Sequence, residues 1–160
     1  MKTCFLIAVG LSILGASGPL ARATTNILNL DFTLAGKAPG GGLPWLTRTL
    51  QDGFQPNSVR LTFDAINLVG NEFVSAWYFN LNPDLNPTTL SFSLVSNPTA
   101  LTVSSIGAGS NTFKAGSGGY YDLLVDFPPP PGAFSAKFTA GEKVIIDVTR
   151  SGGLSVGDFL

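Results

Sequence analysis

Histidine is absent from this 160-residue sequence, and cysteine occurs once, as Cys4. Without histidine the chain cannot build a Ser-His-Asp or Cys-His triad, and it lacks the commonest general base. The usual zinc ligand sets are excluded for the same reason. No Walker A motif occurs, and no helix pattern follows the glycine-rich residues 107–109 and 116–119, which we interpret as turns.

Charged residues are scarce as well. They make up 12% of the chain, against 44% hydrophobic residues, and the formal net charge is −1. There is no basic stripe and no acidic tail, so the composition gives no reason to expect nucleic acid as a partner. The hydrophobic content is typical of a folded domain and not of a disordered chain.

The first 23 residues have the features of a secretory signal peptide. Lys2 supplies a positive charge, residues 4–14 form a short apolar run, and residues 21–23 (Ala-Arg-Ala) fit the small-x-small cleavage pattern. We predict cleavage between Ala23 and Thr24. The apolar run is shorter than the roughly 20 residues that a membrane-spanning helix needs. An uncleaved membrane anchor is the alternative interpretation.

The predicted mature chain, residues 24–160, is long enough for one domain with a sizeable core. It has no cysteine, so no disulfide can stabilise it. Loss of Lys2 and Arg22 leaves seven basic and ten acidic residues, a net charge of −3. No segment of the mature chain is apolar for long enough to cross a membrane.

Short segments of alternating apolar and polar residues recur along the mature chain, separated by glycine, proline and asparagine. Such alternation places one face of a strand on a core and the other in water. The segments are residues 27–34, 45–51, 58–68, 73–81, 89–95, 100–106, 111–115, 120–127 and 142–149. They predict an all-β fold, an antiparallel β-sandwich of jelly-roll-like form with about nine strands.

The alternation also predicts which side chains are buried. In the first segment the expected inner residues are Leu28, Leu30, Phe32 and Leu34. Residues 73–81 (FVSAWYFNL) are apolar on both faces, which indicates a central strand or a binding platform. The other expected inner residues are Val59, Leu61, Phe63, Ala65, Leu90, Phe92, Leu94, Tyr121, Leu123, Val125, Phe127, Val144, Ile146 and Val148.

Two features concern the chain's connections and its end. Asp52-Gly53 predicts a hairpin turn between residues 45–51 and 58–68. Residues 154–160 (LSVGDFL) resemble the start of a further strand that stops in mid-pattern. We therefore interpret the single domain, residues 24–160, as truncated at its C-terminus.

Aromatic residues are the candidates for binding a glycan, because exposed rings can stack on sugar faces. Adjacent residues of a strand point to opposite faces, so at most one of Trp77 and Tyr78, and one of Tyr120 and Tyr121, belongs to the main core. We predict Tyr78 and Tyr120 as the ligand-binding residues. Packing of these rings within the core or on the second face is the alternative.

Carboxylates offer two further hypotheses. Asp122 and Asp126 would have Cα atoms about 13 Å apart on a regular strand, whereas paired glycosidase carboxylates lie about 5–10 Å apart, so we predict no catalytic residue. Asn82, Asp84 and Asn86 place oxygen-bearing side chains two residues apart, as calcium loops often do. Calcium is thus the one candidate cofactor, and an Asx-rich turn is the alternative.

Several blocks of the sequence resemble a family of exported bacterial proteins, the PEP-CTERM proteins. The most specific block is NEFVSAWYFNL at residues 71–81, and the resemblance covers about residues 25–160. The other blocks are residues 44–47 (PWLT), 58–62 (SVRLT), 113–128 and 138–142 (FTAGE).

The resemblance implies a signal peptide, a β-rich extracellular domain and a C-terminal Val-Pro-Glu-Pro motif, followed by a hydrophobic helix and a basic tail. In that family an exosortase processes the tail during export, often in Gram-negative bacteria that produce biofilm or exopolysaccharide. The present sequence has no such motif, and Pro128 to Pro131 is not a substitute. Exosortase is therefore an expected partner only if a longer form of the chain carries the tail.

Together these observations predict an exported, non-catalytic surface or extracellular-matrix protein of a Gram-negative bacterium, associated with exopolysaccharide. The polar strand faces are rich in Ser, Thr and Asn, whose neutral hydrogen-bonding groups suit a hydrated polysaccharide. A carbohydrate-binding module with a defined aromatic site is the main alternative. A purely structural or adhesive protein with buried rings, and a hydrolase using Asp122 and Asp126, are the others.

Overall fold

Strands dominate the computed structural model, which describes residues 23–33, 36–52, 54–98, 101–128 and 133–160. The predicted leader up to Arg22 lies outside these residues, and Ala23 and Thr24 are exposed just before the first strand. No helix within the described ranges is long and apolar enough to cross a membrane.

Ten strands and three single-turn 3-10 helices make up the described part of the chain. The strands are β1 (Thr25–Leu30), β2 (Leu46–Asp52), β3 (Ser58–Asp64), β4 (Phe73–Val74), β5 (Ala76–Phe79), β6 (Ser91–Ser96), β7 (Ser105–Lys114), β8 (Tyr120–Asp126), β9 (Phe138–Thr139) and β10 (Lys143–Thr149). The 3-10 helices are η1 (Pro87–Thr89), η2 (Phe134–Ala136) and η3 (Val156–Asp158). The predicted all-β class is confirmed, with ten described strands where the sequence indicated about nine.

The strands form three antiparallel sheets. The largest has five strands in the order β1-β2-β3-β10-β6, the second has three in the order β5-β8-β7, and β4 pairs with β9. β2 and β3 are antiparallel neighbours, as the predicted hairpin at Asp52 requires, and Gly53 itself lies outside the described residues.

The core lies between the five-stranded and three-stranded sheets, where apolar side chains from both inner faces meet. The centroid of the Phe63 ring, on β3, is 4.8 Å from that of Trp77 and 5.6 Å from that of Phe79, both on β5. The predicted burial is confirmed for the inner residues of β3, β8 and β10. These residues are Val59, Leu61, Phe63, Leu123, Val125, Val144, Ile146 and Val148, together with Ala65 and Phe127 just beyond β3 and β8.

The expected burial of β1 is wrong. Leu28 is 49% exposed and Phe32, just beyond the strand, is 78% exposed, although Leu30 packs against the core. The reason is the unequal width of the two sheets. The opposing sheet has only three strands and leaves the outer strands of the five-stranded sheet uncovered. Leu94, on the opposite outer strand β6, is 44% exposed for the same reason. Leu34 lies outside the described residues.

Residues 73–81 do not form one central strand. They split into β4 and β5, which belong to different sheets, and β5 is the outer strand of its sheet. The split falls at Ser75, whose carbonyl accepts a hydrogen bond from the N–H of Phe127. Trp77, Phe79 and Leu81 are nevertheless buried, because the two-residue alternation survives within β5.

Two other segments differ from their predicted form. Residues 105–114 make one bulged strand, β7, where the sequence suggested two separate strands. Residues 154–160 form no extended strand, because η3 occupies residues 156–158 and Ser155 and Asp158 cap it reciprocally. Only Phe159 pairs as a strand residue, in a single antiparallel bridge with Leu81. Val156 and Phe159 are buried there, so the apolar pattern reflects packing of this turn on the core.

Candidate functional site

Tyr78 projects from the outer face of β5. Its neighbours Trp77 and Phe79 are buried in the core, so strand alternation turns Tyr78 away from it. Tyr78 is half-buried, and its ring centroid lies 5.5 Å from that of Tyr121, with the planes tilted by 48°. Such a tilted pair is a favourable aromatic geometry.

Tyr121 was expected in the core with Leu123, but it is only half-buried and its ring meets Tyr78. The β5–β8 ladder stops at Phe79 and Leu123. Beyond that point the carboxylate of Asp122 replaces the backbone acceptors of the ladder. It accepts the N–H of Leu81 at 3.0 Å and that of Asn111 at 2.8 Å. The pairing of β8 with β5 therefore ends before Tyr121, whereas its pairing with β7 shifts register and continues at Phe113 and Tyr121. Burial departs from the two-residue pattern where β8 has lost its β5 neighbour.

A glycine-rich turn contacts the Tyr121 side chain through its hydroxyl group. The hydroxyl of Tyr121 donates to the carbonyl of Gly118 at 3.2 Å. The turn is closed by bonds from the N–H of Ala115 to the carbonyl of Gly119 and from the N–H of Gly118 to the carbonyl of Ala115. Gly119 has a φ of +103°, which side-chain-bearing residues rarely adopt. The predicted turn at residues 116–119 thus forms one wall of the site.

Tyr78, Tyr121 and this turn line an open groove of about 660 Å³. This volume is within the range of small-molecule sites, about 300–1,000 Å³. The exposed ring of Phe32, which follows β1, also lines it. None of the described lining residues is charged: they are Phe32, Tyr78, Ala115, Gly116, Ser117, Gly118 and Tyr121. We call this surface the aromatic groove.

Tyr120, the second predicted ligand-binding residue, does not line the aromatic groove. It is 55% exposed, and the ammonium of Lys114 lies 5.8 Å from its ring centroid. The structure therefore pairs Tyr78 with Tyr121 and leaves Tyr120 apart from them. Phe32 and Tyr121 were missed as groove residues because two-residue alternation assigned both to the core.

The candidate calcium residues lie in a turn that uses their oxygens locally. Asn82 Oδ1 accepts the N–H of Asp84 at 3.1 Å. Asn86 Oδ1 accepts the N–H and the hydroxyl of Thr88, at 3.0 and 2.8 Å, and so caps η1. These are the bonds of Asx turns. A calcium ion would have to compete with them, and calcium binding by Asn82, Asp84 and Asn86 stays a prediction.

The hydrolase alternative would need the carboxylates of Asp122 and Asp126 to act together. Both carboxylate oxygens of Asp122 accept backbone N–H groups, which gives this residue a clear part in joining β5, β7 and β8. Nothing in the described geometry links that carboxylate to the one of Asp126.

The fold and the groove define the molecule as an antiparallel β-sandwich with an aromatic surface groove whose described lining carries no charge. No protein-family model matches this chain. No curated protein matches it, and no solved structure does.

Proposed function

We propose that this chain is an exported, non-catalytic surface or matrix protein that binds neutral extracellular polysaccharide in the aromatic groove. The observation that carries the proposal is the grouping of Phe32, Tyr78 and Tyr121 around an open, uncharged groove. Tyrosine combines a large apolar ring with a polar tip, which suits a ligand that is both apolar on its faces and rich in hydroxyls.

Two observations favour a sugar chain over other ligands. The groove is open to solvent, so a polymer can lie across it, whereas a small apolar ligand would leave much of its surface in water. The absence of charge among the described lining residues favours a neutral glycan over a uronic acid or a sulfated sugar. The geometry therefore favours a defined aromatic glycan site over a role in which all the rings are buried.

Export rests on the leader and on the resemblance to PEP-CTERM proteins. We expect the chain purified after export from a Gram-negative host to begin at Thr24. N-terminal sequencing tests this, and retention of Lys2 in the exported form would contradict it. Processing by an exosortase belongs to this proposal only for a longer chain that carries the sorting tail.

The binding experiment uses the exported chain with a glycan array and with cellohexaose, a neutral linear glucan, in affinity electrophoresis and calorimetry. Tyr78→Ala should weaken binding about tenfold or more, as loss of a central aromatic contact does. Tyr78→Phe keeps the ring and should retain most of the affinity. Tyr120→Ala is the matched control, an exposed tyrosine outside the groove, and should bind as the parent does.

Three outcomes would overturn the assignment. Binding of no neutral glycan on the array would refute the ligand class. Equal losses from Tyr78→Ala and Tyr120→Ala would place the contact outside the groove. A fall in melting temperature for Tyr78→Ala without any glycan affinity in the parent would favour the purely structural alternative.

A further inference from the structure

β1 is an outer strand with an unusual composition. Among the described residues, strands pair with it on one side only. Natural proteins usually protect such an edge with charged residues or proline, but β1 (TNILNL) contains neither. By contrast, β2, β3 and β10 each carry charged side chains. Charge is thus placed on the inner strands. The other outer strand, β6 (SFSLVS), is uncharged too, but its pairing with β10 shifts register at Val95, an irregularity of the kind that protects an edge, whereas the β1–β2 register is unbroken.

The free side of β1 offers regular hydrogen-bonding groups. The carbonyl of Leu30 accepts the N–H of Trp45, and that of Thr24 accepts the N–H of Asp52, so even-numbered residues direct their backbone groups towards β2. Strand alternation then directs the N–H and C=O groups of Thr25, Ile27 and Asn29 away from the sheet. These groups form an open ladder that another strand can complete.

The side chains of β1 are also incompletely covered. Leu28 lies opposite Arg48 in the ladder, and Arg48 is only 8% exposed, so Leu28 is on the inner face of the sheet. It is still half exposed, because the three-stranded sheet does not reach it. Ile27, on the other face, is exposed as well. A strand added beside β1 would give both residues cross-strand neighbours, one on each face of the sheet.

We propose that two copies of this chain associate through β1, forming an antiparallel β1–β1 ladder centred on Leu28. A two-fold axis perpendicular to the sheet keeps the inner faces of the two copies on the same side. Residues that point to the same face of the sheet must therefore pair with each other. This register sets Leu28 against Leu28 and Ile27 against Asn29, whose outward backbone groups bond. The predicted mature chain is net negative, and β1 is a surface where two copies meet without opposing charges.

The dimer places the two aromatic grooves on one assembly, because Phe32 follows each β1. The dimer itself does not depend on the proposed glycan binding. A ladder of about five residues is a small interface compared with the roughly 1,600 Å² of a standard one. We therefore expect a reversible equilibrium between monomer and dimer, with no larger species.

Sedimentation velocity of the exported chain over a range of concentrations tests the proposal. The mass should rise from one copy to two and stop there. Leu28→Glu should remain monomeric, because two glutamates would face each other across the axis, while within one copy the new carboxylate lies opposite Arg48. Leu94→Glu, a half-exposed leucine on the other outer strand, is the matched control and should still dimerise.

Cross-linking gives a second measurement that does not depend on how well the charged variant folds. Opposed non-hydrogen-bonded residues of an antiparallel ladder have Cα atoms about 4.5 Å apart, within the disulfide range. In a Cys4→Ser background, Leu28→Cys should oxidise to a covalent dimer and Leu94→Cys should not. A parent that is monomeric at every concentration, cross-linking through Leu94→Cys, or growth beyond two copies would each overturn the proposal.

Discussion

Arg48 is a charged residue in a buried position. It points inward from β2, and its guanidinium carbon lies 5.7 Å from the ring centroid of Phe79. Nη2 donates to Asn26 Oδ1 at 2.9 Å, whereas the buried Nε meets no acceptor within the described part of the chain. Burial lowers the pKa of Arg48, which means that the surroundings disfavour its charge.

Replacing this buried cation should stabilise the fold. Arg48→Met keeps an unbranched, flexible apolar stem and removes both the charge and the unpaired donor, so we expect a gain of about 1 kcal/mol. This corresponds to a melting temperature higher by about 4 °C, measured by thermal denaturation. Arg48→Lys keeps the charge and should not gain. A marked loss of stability in Arg48→Met would show that the guanidinium makes a required contact.

Glu72 gives the fold a pH-dependent contact between two loops. Its carboxylate accepts the N–H of Val69 at 2.8 Å and that of Gly40 at 2.7 Å. These two bonds, with the charge of Lys37 adding to them, lower the pKa of Glu72 below its usual value of 4.5. Because the folded pKa is depressed, the stabilisation is complete above the usual pKa and is lost as the pH falls through the folded one.

Glu72→Gln should therefore lower the melting temperature at pH 7, and its difference from the parent should shrink below about pH 4.5. Melting curves from pH 3 to pH 8 measure this. Asp84→Asn, which removes an exposed carboxylate, is the control and should show little difference at neutral pH. A constant deficit in Glu72→Gln down to pH 3 would contradict the role given to the ionised carboxylate.

At the scale of elements, the loop before β2 is held against the loop after β3. Trp45 Nε1 donates to the carbonyl of Gly41 at 3.0 Å, and Asn67 Nδ2 donates to that of Pro44 at 2.9 Å. A Cβ at Gly41 would collide with the backbone carbonyl of Asn67. Glycine is required there by close approach of two backbones, not by its own dihedral angles.

Gly41→Ala should cost about 1–3 kcal/mol, the usual effect of overpacking. The adjacent Gly42 has open space around its Cβ position, so Gly42→Ala should be nearly neutral. Chemical denaturation followed by tryptophan fluorescence measures both, since Trp45 lies at this contact. Equal stability of the two variants would mean that the loops are not packed against each other as described.

Much of the sandwich could be predicted from alternation, because β3, β8 and β10 are central enough for one face to be fully covered. The same rule failed for Leu28 and Phe32, since their exposure depends on how many strands the opposite sheet has. It also failed at Tyr121, which lies beyond the end of the β5–β8 ladder, where the carboxylate of Asp122 accepts backbone N–H groups instead. Two of the three aromatic residues of the groove, Phe32 and Tyr121, were thus outside the reach of a local pattern, and only Tyr78 was identified.

At the scale of the whole molecule, the two main sheets are joined by an aromatic cluster in which Phe63 contacts Trp77 and Phe79. With one cysteine in the sequence, no disulfide within the chain can share this task. If the cluster couples the sheets, they must lose their structure together. Far-UV circular dichroism, which reports on all strands, and tryptophan fluorescence should then give coincident unfolding transitions.

Phe63→Ala should lower the free energy of unfolding by about 3–5 kcal/mol, because it removes a fully buried ring and leaves a cavity between the sheets. Phe63→Leu refills much of that space and should lose clearly less. The two probes should remain coincident in Phe63→Leu, since the sheets are still in contact. Separate transitions in the parent protein, with fluorescence changing first, would show that the three-stranded sheet unfolds on its own and that the aromatic contact does not couple the two layers.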